Sequence, residues 1–251
     1  MPKSIDFMVR KNVHADRVWD TLRTLGAKLE GDVNSFEFLT EAREERSHIG
    51  SLFGQGRGLG TILLWAAFFL NLAEFYALQS WLPTILTGLH YSLNTVALAT
   101  SLTTVGGIVI AMVMGPAMDR IGPYSSLAVL YFLGVIFVAS ISLAINRPEW
   151  VLLTATFFAG VCISGGQKSV IALAAVYYPA SIHSTGVGWA LGIGRIGGIG
   201  GPLLLGYLIN MQVQTESLFY AASIPMLIGG ILIAIMGAAE GKRRGSPLSA
   251  A

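Results

Sequence analysis

The sequence has little charge and almost no cysteine. Lys, Arg, Asp and Glu make up 12% of its 251 residues, about half the usual share in a soluble domain. Cys162 is the single cysteine, which excludes an intrachain disulfide and a cysteine-based metal site. There is no HExxH, no GxxxxGK[ST] phosphate loop, no nucleophile–base pair and no metal-spaced set of His, Cys and Asp. An enzyme, a metal site and a bound cofactor are therefore not expected. The first 60 residues contain no apolar core region, so no cleavable signal peptide is expected. A net charge of +2 gives no reason to expect a nucleic-acid partner. What is abundant is apolar: 53% hydrophobic residues and a mean hydropathy of +0.65, the composition of a membrane protein.

The few charges are unevenly spread. Residues 1–60 hold nine of the sixteen Lys/Arg and nine of the fourteen Asp/Glu. The expected organisation is a polar cytoplasmic segment over 1–60, a transmembrane bundle over 61–239 and a basic cytoplasmic tail over 240–251. Within the first segment, His14 to Lys28 places Val18, Leu22 and Leu25 at helical spacing behind a capping Asp16. A second short helical pattern, rich in Glu, runs from Phe36 to Arg46.

Six apolar runs follow, at 61–87, 94–117, 124–145, 150–177, 185–209 and 217–239. Each suffices to span a bilayer, which takes roughly 20 residues. The fold class is an all-α membrane protein, a six-helix transmembrane bundle. Arg120 and the Lys242–Arg243–Arg244 tail fall on the same side as the polar segment, and the opposite loops carry only Arg147. The positive-inside bias then puts both termini in the cytoplasm, as an even number of spans requires.

Polar residues inside the spans are few, and each raises a functional question. In the first span, Asn71, Glu74 and Gln79 lie within an arc of about 140° at 100° per residue. Glu74 either serves a proton or substrate pathway or locks helices together as a hydrogen-bonded acid. The third span reads as peripheral, with small hydroxyls at Ser125, Ser126, Ser140 and Ser142. The fourth holds Gln167 and Lys168 behind a Gly165–Gly166 pair; the lysine either snorkels to the interface or faces a pathway. The fifth places Arg195 among nine glycines between residues 185 and 209, with small-xxx-small spacing at 188/192, 194/198 and 197/201. The sixth is uncharged and is expected on the outside. Two cations and one carboxylate within six spans suggest an aqueous path for an anion with a proton-binding group.

The segment GPAMDRIG, with Gly115, Asp119, Arg120 and Gly122, resembles the G-x-x-x-D-R-x-G loop motif of the major facilitator superfamily in its second copy. GGQKSVIALAAVYYPASIHSTGVGWALGIGRIGGIGGPLLLG, LLWAAFFLNLAEFYALQSWLP and PKSIDFMVRKN are similar to the tenth to eleventh helices, the seventh helix and the central loop of the aromatic acid:proton symporters. The resemblance covers essentially the whole chain. It implies the second six-helix half of a twelve-helix transporter in the plasma (inner) membrane, moving a small aromatic acid anion with a proton. It also implies a missing N-terminal half as partner, a cavity lined by the first and fourth spans, and a half–half interface on the second and fifth. The first-half acidic motif and the first loop-motif copy are absent, and His183 of the expected cytoplasmic cluster stands where many members have Arg. Another organic anion, a dicarboxylate or sugar acid, and a non-transporting remnant are the alternatives.

Overall fold

In the computed structural model, residues 49–54 and 56–244 are described, without the side chains of 242–244. The helical patterns expected at 14–28 and 36–46 lie outside the described residues. After a 3-10 turn at Ile49–Leu52 come six helices: α1 (Gly58–Gly88), α2 (Leu93–Ile121), α3 (Pro123–Ala144), α4 (Glu149–Tyr177), α5 (His183–Asn210) and α6 (Thr215–Arg244). All six are long and apolar enough to cross a membrane, and the described residues contain no strand. The six runs of the sequence correspond to them one for one.

Local chemistry sets the helix ends. The Ser92 hydroxyl caps α2 by accepting the Thr95 amide at 3.2 Å. Gly122, at φ +90°, sits between α2 and α3, a conformation that a Cβ resists. Pro123 then opens α3, where its missing N–H costs nothing. Ahead of α1, Leu52 is fully buried and its carbonyl accepts the Thr61 hydroxyl at 2.9 Å, so the 3-10 turn is fastened to the first helix.

The helices associate chiefly as three pairs: α1 along α5, α2 along α4, and α3 along α6. Helix α3 also rests on α4, and α1 on α6. Between lipid-embedded helices no hydrophobic force drives association, so close backbone approach at small residues carries much of it. A Cβ on Gly106 of α2 would lie 2.5 Å from the Phe157 carbonyl oxygen, and one on Gly160 of α4 would collide with the Thr103 backbone. On α5, Gly197 and Gly201 abut the Phe69 and Ala73 carbonyls of α1.

Burial is uneven. Only 22% of the α2 span and 17% of the α5 span are buried, against 39% or more in each other helix. The open helices are therefore α2 and α5. Helices α3 and α6, expected at the periphery from their apolar composition, are packed further in. Half of the α3 span is buried, because Gly134 of α3 and Gly229 and Gly230 of α6 let the two helices close on each other. Hydropathy alone cannot distinguish a side chain facing lipid from one facing another helix.

Candidate functional site

The polar residues of α1 divide. Asn71 and Glu74, three positions apart, are 1% and 2% exposed. Gln79 is exposed and lines a cleft between α1, α2, α3 and α4. This cleft holds about 360 Å³ with its open mouth, and its walls include Phe75, Thr100, Thr103, Gly160 and Ser164. The shared arc read from the sequence is real as an angle. Gln79, however, is more than a turn further along a helix whose neighbours change on the way.

The buried pair meets a residue that the sequence reading passed over. Tyr131 of α3 is fully buried, so the third span carries more than small hydroxyls. A Cβ on Gly166 of α4 would lie 3.0 Å from the Tyr131 ring and 3.1 Å from the Asn71 amide nitrogen. Ring, amide and glycine thus meet at one point. A phenol eight residues inside an apolar run was the signal available for it.

Lys168 of α4 is exposed along its side chain, but its ammonium donates to the Gly107 carbonyl of α2 at 2.9 Å. Gln167 beside it is half-buried. Arg195 is exposed on α5, and it belongs to a stripe with Gly188, Gly192 and Ile199 that no described helix covers. The opposite stripe of α5, Gly194, Gly197 and Gly201, is the one seated on α1. Trp81 is half-buried and donates its indole N–H to the Pro202 carbonyl of α5 at 2.8 Å.

The loop residues lie apart from these. Gly115, Asp119 and Arg120 are exposed in the last turns of α2, with open space around Gly115. His183 is half-buried as the first residue of α5. At the other end of the helices, the Tyr91 hydroxyl donates to the Ile145 carbonyl, and Thr95 donates to a Glu149 carboxylate oxygen at 3.2 Å. These bonds tie the α1–α2 turn to the end of α3, and the first turn of α2 to the start of α4. Burial first, and then the Glu149 charge, push the Tyr91 phenol above its ordinary pKa. Among the described residues no group of three or more His, Cys, Asp or Glu is placed to hold a metal ion.

Six membrane-length helices in three pairs, with two helices left open, can be set against known families. The family model described as Major Facilitator Superfamily matches residues 64–250. The chain belongs to the major facilitator superfamily. Its similarity to a "4-hydroxybenzoate transporter PcaK" of Pseudomonas putida is 32% identity over 238 residues, covering 94% of this chain and 53% of the relative. A "Gallate transporter" of the same organism is 31% identical over 240 residues, covering 96% of this chain and 53% of its own length. A "Benzoate transport protein" of Acinetobacter baylyi is 28% identical over 242 residues, covering 93% and 50%. The chain spans about half the length of the curated relatives it matches. Family and relatives are transporters rather than enzymes, and this superfamily member is a multi-pass membrane protein equivalent to a six-helix half.

Proposed function

We propose that this chain is one half of a transporter that carries small aromatic carboxylates together with protons across the cell's inner membrane, with both termini cytoplasmic. The observation that carries the reading is Arg195: a cation at mid-helix, on a face of α5 that no described residue covers, in a chain that spans about half the length of the aromatic-acid transporters it matches. An arginine in a membrane persists where it meets water, an acid or carbonyls. Its planar fork suits a carboxylate in bidentate contact.

On this reading the missing partner is a first six-helix half, docked on the open faces of α2 and α5. Substrate binds between the halves near the midplane, and rocking of one half against the other alternates access. Arg195 and Lys168 supply positive charge to the carboxylate, while Gln79 and Gln167 offer hydrogen bonds. Glu74, with Asn71 beside it, is the proton-binding group of this half. The loop Gly115–Gly122, with Asp119 and Arg120, acts on the conformational change rather than on binding, and His183 belongs to the cytoplasmic cluster. Residues 1–60 and 240–251 are the cytoplasmic segments flanking the bundle.

The test is uptake. The chain is expressed with a six-helix first half of an aromatic-acid transporter, and vesicles are given an inwardly directed proton gradient, acid outside. Accumulation of labelled 4-hydroxybenzoate is expected, with Glu74→Gln retaining substrate exchange but losing accumulation. Uptake of a dicarboxylate or sugar acid in place of aromatic acids would overturn the substrate class. No uptake of any organic anion would leave a remnant that does not transport.

A further inference from the structure

Most buried hydroxyls of serine and threonine in this bundle are satisfied, whereas the Trp65 indole nitrogen and the Tyr178 hydroxyl lack a hydrogen-bond partner among the described residues. The hydroxyls of Thr61, Thr95, Ser126, Thr156 and Ser223 each donate to a carbonyl or carboxylate oxygen. Asn71, Glu74 and Tyr131 lack partners together. Both amide atoms of Asn71, both carboxylate oxygens of Glu74 and the Tyr131 hydroxyl are buried with no hydrogen-bond partner among the described residues. Five unsatisfied atoms in one place would cost several kcal/mol if they stayed so.

They are also held close. Asn71 and Glu74 share a face of α1 by their three-residue spacing. The Tyr131 ring is wedged between glycines of two other helices: Cβ atoms on Gly166 of α4 and Gly229 of α6 would lie 3.0 Å and 2.6 Å from its edges. Its hydroxyl lies beside the Asn71 amide, short of hydrogen-bond geometry, and within electrostatic reach of Glu74. Among the described residues no cation faces the carboxyl from a helix packed on α1. On α4, Lys168 is turned to Gly107 and the remaining neighbour is the Cys162 thiol; α3 contributes Tyr131. Arg195 of α5 is exposed, as are Asp119 and Arg120 at the end of α2. In α6 Glu216 and Glu240 lie near the two ends.

We infer that Asn71, Glu74 and Tyr131 form a closed hydrogen-bonded ring around the proton of Glu74, with Tyr131 and Asn71 as its positioning residues. Each of the five atoms gains one partner, and one Asn71 N–H is left over. The Glu74 O–H donates to the Asn71 Oδ1, the Asn71 Nδ2 donates to the Tyr131 oxygen, and the Tyr131 O–H donates to the second Glu74 oxygen. Small side-chain rotations satisfy all five atoms. Release of the proton to water breaks the Glu74 O–H bond and leaves a carboxylate facing the Asn71 carbonyl oxygen, which repels it. The amide must turn, so that Asn71 Nδ2 and Tyr131 O–H both face the new charge. The Asn71 N–H that held the Tyr131 oxygen is then redirected to the carboxylate, and on this proposal the contact of α3 with α1 loosens. Proton occupancy is thereby linked to packing at the junction of α1, α3 and α4. The inference rests on Glu74 being the proton-binding group proposed above and adds the residues that hold the proton.

Infrared spectroscopy of the purified chain in lipid nanodiscs tests it without transport. A protonated-carboxyl C=O band at neutral pH should disappear in Glu74→Gln. In Tyr131→Phe, which removes a single hydroxyl, that band should move to higher frequency as it loses a hydrogen bond. The pH at which it titrates should shift by about one unit, a tenfold change in proton affinity. Gly229→Ala keeps the hydroxyl but displaces the ring, and should move the band in the same direction. Absence of a band assignable to Glu74, or a band whose frequency and midpoint are the same in Tyr131→Phe and Gly229→Ala, overturns the ring. If the band responds as expected while a pH gradient drives no uptake, the ring stands and the transport reading fails. If uptake is pH-driven and the band does not respond, the ring alone fails.

Discussion

Lys168 crosses the seam between α4 and α2 to donate to the carbonyl of Gly107 at 2.9 Å. A snorkelling lysine runs its stem toward the headgroups; here the ammonium ends on a backbone oxygen of the neighbouring helix. Just beside it, a Cβ on Gly107 would collide with Ser164, so the lysine closes a seam already at backbone contact. Its bond to Gly107 uses one of three ammonium donors.

Lys168→Met should therefore have two separable effects. Loss of the interhelical bond lowers stability by about 0.6–1.7 kcal/mol, the range for such bonds in membranes, read as a reduced Tm. Loss of the cation raises KM for an aromatic carboxylate in the complete transporter. An unaltered KM with a reduced Tm would confine Lys168 to the α2–α4 seam.

The glycines of α5 should respond according to their face. Gly197→Ala and Gly201→Ala drive a methyl into the Phe69 and Ala73 carbonyls, and overpacking of that kind costs about 1–3 kcal/mol. Gly188, Gly192 and Gly200 have no atom within 4 Å of an added Cβ. In the isolated chain Gly192→Ala should hold or raise Tm, since it relieves the entropy cost of a helical glycine. Once a first half is docked, Gly192→Ala should weaken the pairing. Insensitivity in both settings would mean that this face of α5 meets lipid.

Arg195→Lys keeps the charge and loses the fork. Because the side chain is exposed on the uncovered face, Tm of the isolated chain should be unchanged. If the fork holds the substrate carboxylate, affinity in the complete transporter falls by about 1.5–3 kcal/mol, the worth of a charge-assisted hydrogen bond. If it holds an acid of the other half, the yield of the paired complex falls and affinity survives. Normal uptake, affinity and pairing in Arg195→Ala would defeat both.

Tyr91 gives a pH dependence with a definite sign. In the unfolded chain the phenol ionises near about pH 10, and in the folded chain its pKa is higher, because of burial and then Glu149. Its contribution to stability is fully present below about pH 10 and is lost as pH rises toward the folded value. The Tm should drop more between about pH 9 and pH 11 in the parent than in Tyr91→Phe. Equal drops would remove Tyr91 from the alkaline response.

The helices themselves were legible because their signals are local. Apolar runs of membrane length are set by neighbouring residues alone. The special residues of the spans were legible as types, since a Glu, Lys or Arg in an apolar run stands out. Tyr131 was not, because a phenol is common in apolar runs and nothing local marks which one is sealed among three helices.

Composition and periodicity by themselves determined six spans, an α-helical membrane class and a short set of intramembrane charges. Only the tertiary structure decided what each face meets. Small-xxx-small spacing is identical in Gly188/Gly192 and Gly197/Gly201, yet the second pair seats on α1 and the first faces open space. Asn71, Glu74 and Gln79 share an arc of one helix, yet two are sealed against Tyr131 and the third lines a cleft. The reason is physical: a helix fixes the direction of every side chain, but burial and hydrogen bonding depend on which helix lies in that direction, and that is set by contacts far apart in the chain.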